Sequence, residues 1–314
     1  MLQSKKVDLE IIIATSDQAC LDYYTDFNPR VKVFWSIGGP AKKRNIATRY
    51  AKYDLLAFFD DDIEVLPSTV FEMYKFLINN PEVGMVFGKL LNMEFRDTFD
   101  EAGSYLTWSG FLWARAESGC KDTGQYEKVE MVLAGKSAAC MIRRKLFCDV
   151  GMFDVSYEIL AEETDLAWRV WLSGHKVFYV PSSVTYHAFN TRFKPQDFYI
   201  PRRVYFNGCR NYLAMLTTNL EAKNLVLPLL TQTCVWFMAA CGMLITGKTE
   251  AGKYILEGLG WFFSHLGSIL LKRKQVQAKR KVRDHELMPL ILRNPPWSYY
   301  INRFFHYIRH GRHG

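Results

Sequence analysis

The sequence predicts an α/β fold, in which a mainly parallel sheet is flanked by helices and a helical region follows at the C-terminal end. Short β-rich runs alternate with helical stretches from residue 9 to about 180, a pattern typical of a sheet covered by helices. Two apolar stretches and a basic segment come after this part. The chain has 314 residues, enough for one large domain or for a domain with an appendage.

Six runs rich in β-branched and aromatic residues predict the strands. They are "LEIIIA" (9–14), "VKVFWS" (31–36), "DLLAFF" (54–59), "VGMVFG" (83–88), "AACMIR" (138–143) and "KVFYVP" (176–181). Three stretches predict helices, namely 40–52, 67–81 and 162–173. The third helix opens with acidic residues, and Gly174 is placed to end it.

The composition limits the class of protein. Apolar residues make up 49% of the chain, charged residues 23% and aromatic residues 15%, which excludes a disordered or collagen-like chain. The seven cysteines form no C-x-x-C pair, so we expect reduced thiols rather than a disulfide framework or a zinc site. The first residues lack the apolar core of a secretory signal, and we expect none.

The two apolar stretches predict association with a membrane. Residues 224–247 contain no charged side chain and are long enough to span a bilayer. Residues 254–271 include Glu257 and His265, so this stretch is expected to lie in the interface or to pack against the first. Two buried helices of a soluble domain remain the alternative. We therefore expect a division into residues 1–200 and 201–314, with the break near 195–203.

The net charge of +8 is concentrated after these stretches, where residues 272–283 contain seven basic side chains in twelve. Such a segment is expected on the cytoplasmic side of a membrane, against anionic headgroups. A solvated helix or a nucleic-acid-binding arm is the competing interpretation. No stacking aromatics interleave with these charges, so we expect no nucleic acid among the partners.

Three carboxylates stand where a buried strand ends, in "LLAFFDDDIEV" (55–65). Ligands bind at the carboxyl ends of strands in open α/β sheets, and adjacent carboxylates repel one another unless a cation is present. Asp60 and Asp62 can reach one hard divalent ion, Mg²⁺ or Mn²⁺. Acidic runs also cap helices and fill turns, which is the alternative. The acids that open the 162–173 helix strengthen the interpretation as a site.

Four segments in order resemble the family 2 glycosyltransferases, the inverting group with the GT-A fold, and their rhamnosyltransferase-like members in particular. These segments are "GGPAKKRNIA", "LLAFFDDDI", "AACMIRRKLFCDVGMFD" and "EETDLAWRVWLSGHKVFYVPSSVTYH". The resemblance covers about residues 9–190. It implies a GT-A domain that uses a nucleotide-sugar.

The resemblance implies a metal site. Asp60 and Asp62 would hold Mg²⁺ or Mn²⁺ on the diphosphate of the nucleotide-sugar. His187 follows the last strand of the domain, where some family members supply a third metal ligand. An ordinary hydrogen-bonded histidine is the alternative at this position.

The resemblance also implies the donor-binding residues. Arg44 and Asn45 match the Arg-Asn pair of the family, and a guanidinium suits phosphate oxygens. Asp60 and Asp61 would complete the donor site at the end of the strand.

A catalytic base is implied in the 162–173 helix. Glu163 stands where the family has its catalytic Asp, and it would take the proton of the acceptor hydroxyl. Glu163 is one methylene longer than that Asp, so Glu162 and Asp165 are the substitutes. Asp165 also has a structural explanation, an ion pair with Arg169 one helical turn later.

The sequence departs from the family at its start. In the family the first strand holds much of the nucleotide base, but here "DLEIII" resembles the second strand and only "MLQSKK" precedes it. We therefore expect either a reading frame begun at an internal methionine, which we favour, or a short form with impaired donor binding.

The predicted function is transfer of a hexosyl or deoxyhexosyl group to a glycan or lipid-linked acceptor, at the cytoplasmic face of the membrane. The competing prediction is a non-catalytic membrane scaffold of the same fold.

Overall fold

The computed structural model of the chain describes residues 7–188 and 200–310. The strands are β1 (Ile11–Thr15), β2 (Val31–Trp35), β3 (Leu55–Phe59), β4 (Ile63–Val65), β5 (Val83–Asn92), β6 (Phe99–Glu101), β7 (Ser104–Leu106), β8 (Leu112–Ala114), β9 (Glu130–Met131), β10 (Ala139–Arg143) and β11 (Lys176–His187). The helices are α1 (Gln18–Thr25), α2 (Pro40–Thr48), α3 (Thr69–Asn79), α4 (Arg144–Asp149), α5 (Glu162–Leu172), α6 (Ile200–Asn219), α7 (Ala222–Ile245), α8 (Thr249–Ser264), α9 (Leu266–Ala278), α10 (Asp284–Ile291) and α11 (Trp297–His310).

The central sheet has the strand order β3-β10-β5-β11-β4, with β6 beside β5 and β9 beside β11. All six predicted runs form strands, and the predicted α/β architecture is confirmed. However, the sheet is mixed, because β10 runs antiparallel to both β3 and β5 while β5 and β11 are parallel. The chain reaches β10 through the long excursion of residues 93–138 and not through a helical crossover. The rule that strands joined by such a crossover lie parallel therefore does not apply to β10.

The strands β1 and β2 form a separate parallel pair. Among the described residues, β1 pairs with β2 alone and β3 pairs with β10 alone, so each keeps one edge without a neighbouring strand. Both strands line the same cavity, and Ala57 in the middle of β3 is exposed. Within the described ranges, the cavity therefore lies against the edges of both sheets.

Helices cover both faces of the central sheet. Alternate residues of β5 point to opposite faces. On one face Val86 and Leu90 pack in a cluster with Met73 and Leu77 of α3. On the other face α5 is buried along most of its length, with Trp168 fully enclosed in the larger core. This packing fixes the first turn of α5 beside the end of the sheet.

The helix α6 connects the α/β part to the helices that follow. Its residues Met215 and Leu216 belong to the core beneath α5, whereas Cys209 and Leu213 pack against α7 and α8. The sequence break predicted at 195–203 lies mostly outside the described residues. The division near residue 200 stays a prediction.

The two apolar stretches differ in the structure. Among the described residues, α7 is the single helix that is long and apolar enough to cross a membrane, and only 22% of its apolar window is buried. The stretch 254–271 is divided at His265 into α8 and α9, which are bent by 64°. A core helix of a soluble protein would be mostly buried, so the exposed apolar surface of α7 favours an apolar partner. Its exposed apolar side chains are Val226, Leu227, Leu230, Phe237, Met238 and Ile245.

Most of the basic segment 272–283 is bonded to the protein itself. Arg273 donates to the carbonyl oxygen of Leu220 at 2.6 Å, near the C-terminal end of α6, and Lys279 donates to the carbonyl oxygen of Asp149 at 2.7 Å. Cations stabilise the unpaired carbonyls and the negative dipole at a helix C-terminus. Of the seven basic side chains expected on lipid headgroups, five therefore have partners within the chain. These are Lys272, Arg273, Lys279, Arg280 and Arg283.

Candidate active site

Three predicted metal ligands lie together at one end of the sheet. The short strand β4 pairs with the end of β11, with Ile63 opposite His187, and this pairing draws the Asp60–Asp62 turn against the histidine. The ligand atoms of Asp60, Asp62 and His187 all lie within 4.8 Å of one another. Carboxylate oxygens and an imidazole nitrogen fit Mn²⁺ or Mg²⁺, so this group of side chains is suited to hold such an ion.

The imidazole of His187 is oriented by a residue that the sequence analysis did not single out. The buried Asp100 lies 2.7 Å from Nδ1 of His187 through its Oδ2, while Lys136 donates to its Oδ1 at 2.6 Å. The other ring nitrogen, Nε2, lies 3.3 Å from Asp62. Burial alone would lower the pKa of His187, but the hydrogen bonds to Asp100 and Asp62 raise it to about 9. Asp100 thus fixes which ring nitrogen of His187 faces the other two members of the metal-ligand group, which consists of Asp60, Asp62 and His187.

Arg44 projects from α2 toward the same carboxylates. Its guanidinium donates to Asp60 and lies 3.8 Å from Glu162. The turn before α2 approaches the backbone of Glu158 closely and needs glycine at two positions. A side chain at Gly39 would meet the carbonyl oxygen of Glu158 at 2.7 Å, and Gly38 has φ +122°. The Gly-Gly pair therefore lets α2 begin close enough to bring Arg44 to the site.

The first turn of α5 presents two acids beside this guanidinium. Both Glu162 and Glu163 line the cavity. Burial and the charge of Glu162 raise the pKa of Glu163 well above its usual value. Burial also raises the pKa of Glu162, although the charge of Arg44 opposes this rise. Such a carboxyl group holds a proton more strongly than an exposed one, which suits a general base near neutral pH.

The turn before α5 has an unusual backbone. Leu160 and Ala161 both lie in the left-handed region, with φ of 71° and 70°. A non-glycine residue held there costs on the order of 1–3 kcal/mol, so surrounding contacts must maintain the turn. Asn211 of α6 donates to the carbonyl oxygens of Ile159 and Leu160 at 2.9 and 2.8 Å. The helix α6 thereby helps to set the direction in which Glu162 and Glu163 point.

Two predicted site residues do not reach the cavity wall. Asn45 is buried, and its side-chain amide exchanges hydrogen bonds of 2.8 and 3.1 Å with the backbone of Phe153. Asp165 is fully buried, where it accepts from Arg169 at 2.9 Å and from Asn219 at 2.9 Å. Their contacts hold the loop after α4 and join α5 to α6.

One cavity of about 2030 Å³ unites the remaining residues. Its wall includes the metal-ligand group, Arg44, the exposed Asp61 and both acids of α5. The cavity extends from the edge of β1 to the helices α7 and α11, where the apolar side chains of Met238 and Phe305 line it. Asp100 and Glu101, which also line this cavity, are not among the predicted site residues. They lie on the short strand β6, and the run "FRDTFDEAG" lacks the apolar pattern that would have marked a strand.

The chain is similar in sequence to known proteins. A family model described as glycosyl transferase family group 2 matches residues 56–271. The O-antigen biosynthesis protein RfbC of Myxococcus xanthus is 27% identical over 191 residues, which are 56% of this chain and 15% of that protein. The putative polypeptide N-acetylgalactosaminyltransferase 10 of Drosophila melanogaster is 26% identical over 247 residues, which are 75% of this chain and 37% of that protein. The chain thus spans well under half the length of these two relatives.

A solved structure resembles the whole arrangement. The crystal structure of GalNAc-T7 with UDP, GalNAc and Mn²⁺ has a TM-score of 0.51 and 15% sequence identity, and the match covers 83% of this chain and 51% of that chain. At this identity the likeness concerns the fold, and it confirms the predicted GT-A architecture. Since the family model also matches well over half of its residues, the chain belongs to glycosyl transferase family group 2.

Proposed function

We propose that this protein transfers a sugar from a nucleotide-sugar to a hydroxyl group of a glycan or lipid-linked saccharide, with a divalent metal ion and with inversion at the anomeric carbon. The proposal rests on one observation: a single cavity is lined by Asp60, Asp62, His187 and Glu163. The group transferred belongs to the hexosyl or deoxyhexosyl class.

The donor is held at the metal-ligand group. Asp60, Asp62 and His187 would hold Mn²⁺ or Mg²⁺, and the bound ion would supply charge stabilisation to the leaving diphosphate. Arg44 now pairs with Asp60, and its guanidinium is near enough to exchange this partner for a phosphate oxygen. Asp61, exposed on the cavity wall, contributes to the donor site from the same turn.

The acceptor is activated by Glu163. Its carboxylate takes the proton of an acceptor hydroxyl while that oxygen attacks the anomeric carbon from the face opposite the diphosphate. The bond between the anomeric carbon and the phosphate oxygen breaks, and the electron pair leaves with the nucleoside diphosphate. The raised pKa of Glu163 supports this assignment, since a base must hold the proton that it removes.

The apolar end of the cavity supports a lipid-linked acceptor at a membrane. Met238 on α7 and Ile301 and Phe305 on α11 are each more than half exposed and line the cavity. An acceptor with a hydrocarbon chain can lie along this wall while its sugar reaches Glu163. The exposed face of α7 would rest in the membrane, on the cytoplasmic side where we place the nucleotide-sugar.

Turnover of a panel of nucleotide-sugars with Mn²⁺ tests the reaction. We expect both hydrolysis and transfer by the wild-type chain, and their loss in Asp62→Ala and Glu163→Gln. Asp97→Asn, which changes an exposed acid outside the cavity wall, is the matched control and should keep activity. Retained turnover in Asp62→Ala would contradict metal-dependent transfer.

The separate β1–β2 pair gives a reason to test the scaffold alternative as well, because in the described part of the chain no strand pairs it with the central sheet. A scaffold would show no turnover and no saturable binding of a nucleoside diphosphate in the presence of Mn²⁺. Binding that is lost in Asp62→Ala would exclude it.

Flotation with liposomes tests the membrane face. Leu227→Glu combined with Leu230→Glu places two charges on the exposed surface of α7 and should abolish flotation. Tyr23→Glu changes an equally exposed side chain on α1 and should float as the wild type does. Flotation of the α7 variant would contradict this surface.

A further inference from the structure

The cavity contains a buried acid that the proposed reaction does not use. Glu101, the last residue of β6, is 9% exposed and lines the cavity wall. Its Oε1 atom is buried and has no hydrogen-bond partner. A carboxylate oxygen left without a partner away from water is unfavourable, so its retention at a cavity wall points to a ligand that supplies the missing hydrogen bond.

The charges around Glu101 favour a neutral hydroxyl group over a cation. Burial raises the pKa of Glu101 to about 7, although the positive charges of Lys136 and Arg115 and the backbone N–H of Gly103 oppose this rise. Lys136 lines the cavity and already supplies a positive charge there, and the adjacent acid Asp100 is engaged by His187 and Lys136. A hydroxyl can both donate to and accept from such a carboxyl group.

Glu101 also lies near the reacting end of the cavity. Tyr212 of α6 lines the cavity, and its pKa is raised by burial and by the charges of both Glu163 and Glu101. Glu101, Glu163 and Tyr212 all line the same cavity, so one ligand in this cavity can face both carboxyl groups. The neighbouring wall continues through Ser104 and Thr107 toward the apolar helices.

We propose that Glu101 binds a hydroxyl group of the acceptor sugar and so holds the sugar ring while another hydroxyl faces Glu163. This inference rests on the proposed function and names a binding residue for its acceptor. Glu101 sets how well a saccharide is bound, whereas the metal-ligand group sets how well the donor is bound.

Saturation-transfer NMR with n-octyl glycosides of glucose, galactose, rhamnose and N-acetylglucosamine tests the subsite without catalysis. We expect the wild-type chain to transfer saturation to the sugar protons of at least one of these probes. Glu101→Ala should lose that signal, while Glu101→Gln, whose amide still forms hydrogen bonds, should keep part of it. Glu117→Ala changes an exposed acid on the wall of the same cavity and is the control.

Kinetics with the same probes separates this inference from the reaction itself. Glu101→Ala should raise the KM for the octyl glycoside by about 10-fold to 100-fold, the range expected for losing a hydrogen bond to a charged group. Hydrolysis of the nucleotide-sugar should stay within about twofold of the wild type in the same variant. If no nucleotide-sugar is turned over but the NMR signal depends on Glu101, the subsite stands and the proposed reaction fails.

Three results would overturn the subsite. They are the absence of saturation transfer from the wild-type chain to every sugar ring, an unchanged signal and KM in Glu101→Ala, and a parallel fall of transfer and donor hydrolysis in that variant. Thermal unfolding of each variant shows that it is folded. Removing a buried carboxylate that has one oxygen without a partner should leave the melting temperature of Glu101→Ala at or above that of the wild type.

Discussion

Glu163 and Asp165 stand two residues apart in the first turn of α5, and their surroundings are opposite. Glu163 lines the cavity beside another acid, and burial together with the charge of Glu162 raises its pKa. Asp165 is fully buried and bonded to Arg169 and Asn219. Two residues along an α-helix are separated by about 200°, so neighbouring acids face opposite sides. One acid is thereby available for chemistry, and the other joins α5 to α6.

The largest effect is expected from removing the charge of Glu163. Glu163→Gln should lower the rate of transfer by about 10²-fold to 10⁴-fold, the range of a lost general base. The unfolding midpoint should not fall, because the substitution removes a charge that repels Glu162. Single-turnover rates and thermal unfolding measure the two quantities. A fall in stability without loss of rate would mean that both acids of this turn are structural.

Asp165→Asn should lower the stability of the chain and leave the rate of transfer nearly unchanged. It leaves the buried guanidinium of Arg169 without its carboxylate, which costs about 3–5 kcal/mol of unfolding free energy. The rate per folded molecule should stay within about threefold of the wild type. Denaturant unfolding and the same rate assay check this pair of outcomes. A selective loss of rate in a stable variant would make Asp165 the base.

A smaller effect is expected at Asp100, which acts through His187. Asp100→Asn should weaken Mn²⁺ binding by about 10-fold to 100-fold, since partners that orient a metal-binding histidine have effects of this size. Calorimetric titration with MnCl₂ measures this affinity directly. Asp97→Asn, three residues earlier and exposed, is the control. Equal affinities in wild type and Asp100→Asn would leave Asp100 with a role in packing alone.

The contrast between the two acids of α5 also marks what could be predicted from the sequence. The strand ends and the acids Asp60 and Asp62 were predictable, because apolar runs and acids at strand ends are local patterns. His187, which lies beside them, was predicted only from the resemblance to the family. The structural role of Asp165 between α5 and α6 was not predictable in this way, because its partner Asn219 is distant in sequence. Asn45 is a similar case, since its partner Phe153 lies on another element.

The excursion of residues 93–138 was the least predictable part of the fold. It contains only short strands, and the apolar alternation that marks a strand needs more residues than β6 has. Both Asp100 and Glu101 lie there, so the histidine's partner and the proposed acceptor residue were missed together. The direction of β10 was missed for the same reason. Where local periodicity is short, only tertiary contacts decide the structure.

Glu101 extends the comparison to an acid that is both buried and without a partner on one oxygen. Its pKa is about 7 in the folded chain against 4.5 as the ordinary value. The folded state therefore binds the proton more tightly, and stability falls as pH rises from about 4.5 to 7 and stays lower above 7. Glu101→Gln does not titrate, so its stability relative to the wild type should rise by about 2–3 kcal/mol between pH 5 and pH 8.

Thermal unfolding at several pH values between 5 and 8 measures that difference, and Glu117→Gln is the control for an exposed acid on the same cavity wall. A difference between Glu101→Gln and wild type that does not change with pH would mean that Glu101 is as well solvated or paired as an ordinary carboxylate. In that case its unpartnered oxygen would no longer argue for a ligand. A gain that grows as the pH rises from about 5 to 7 and then stays constant would place Glu101 with Glu163, among the acids kept at a cost in stability because they face the cavity.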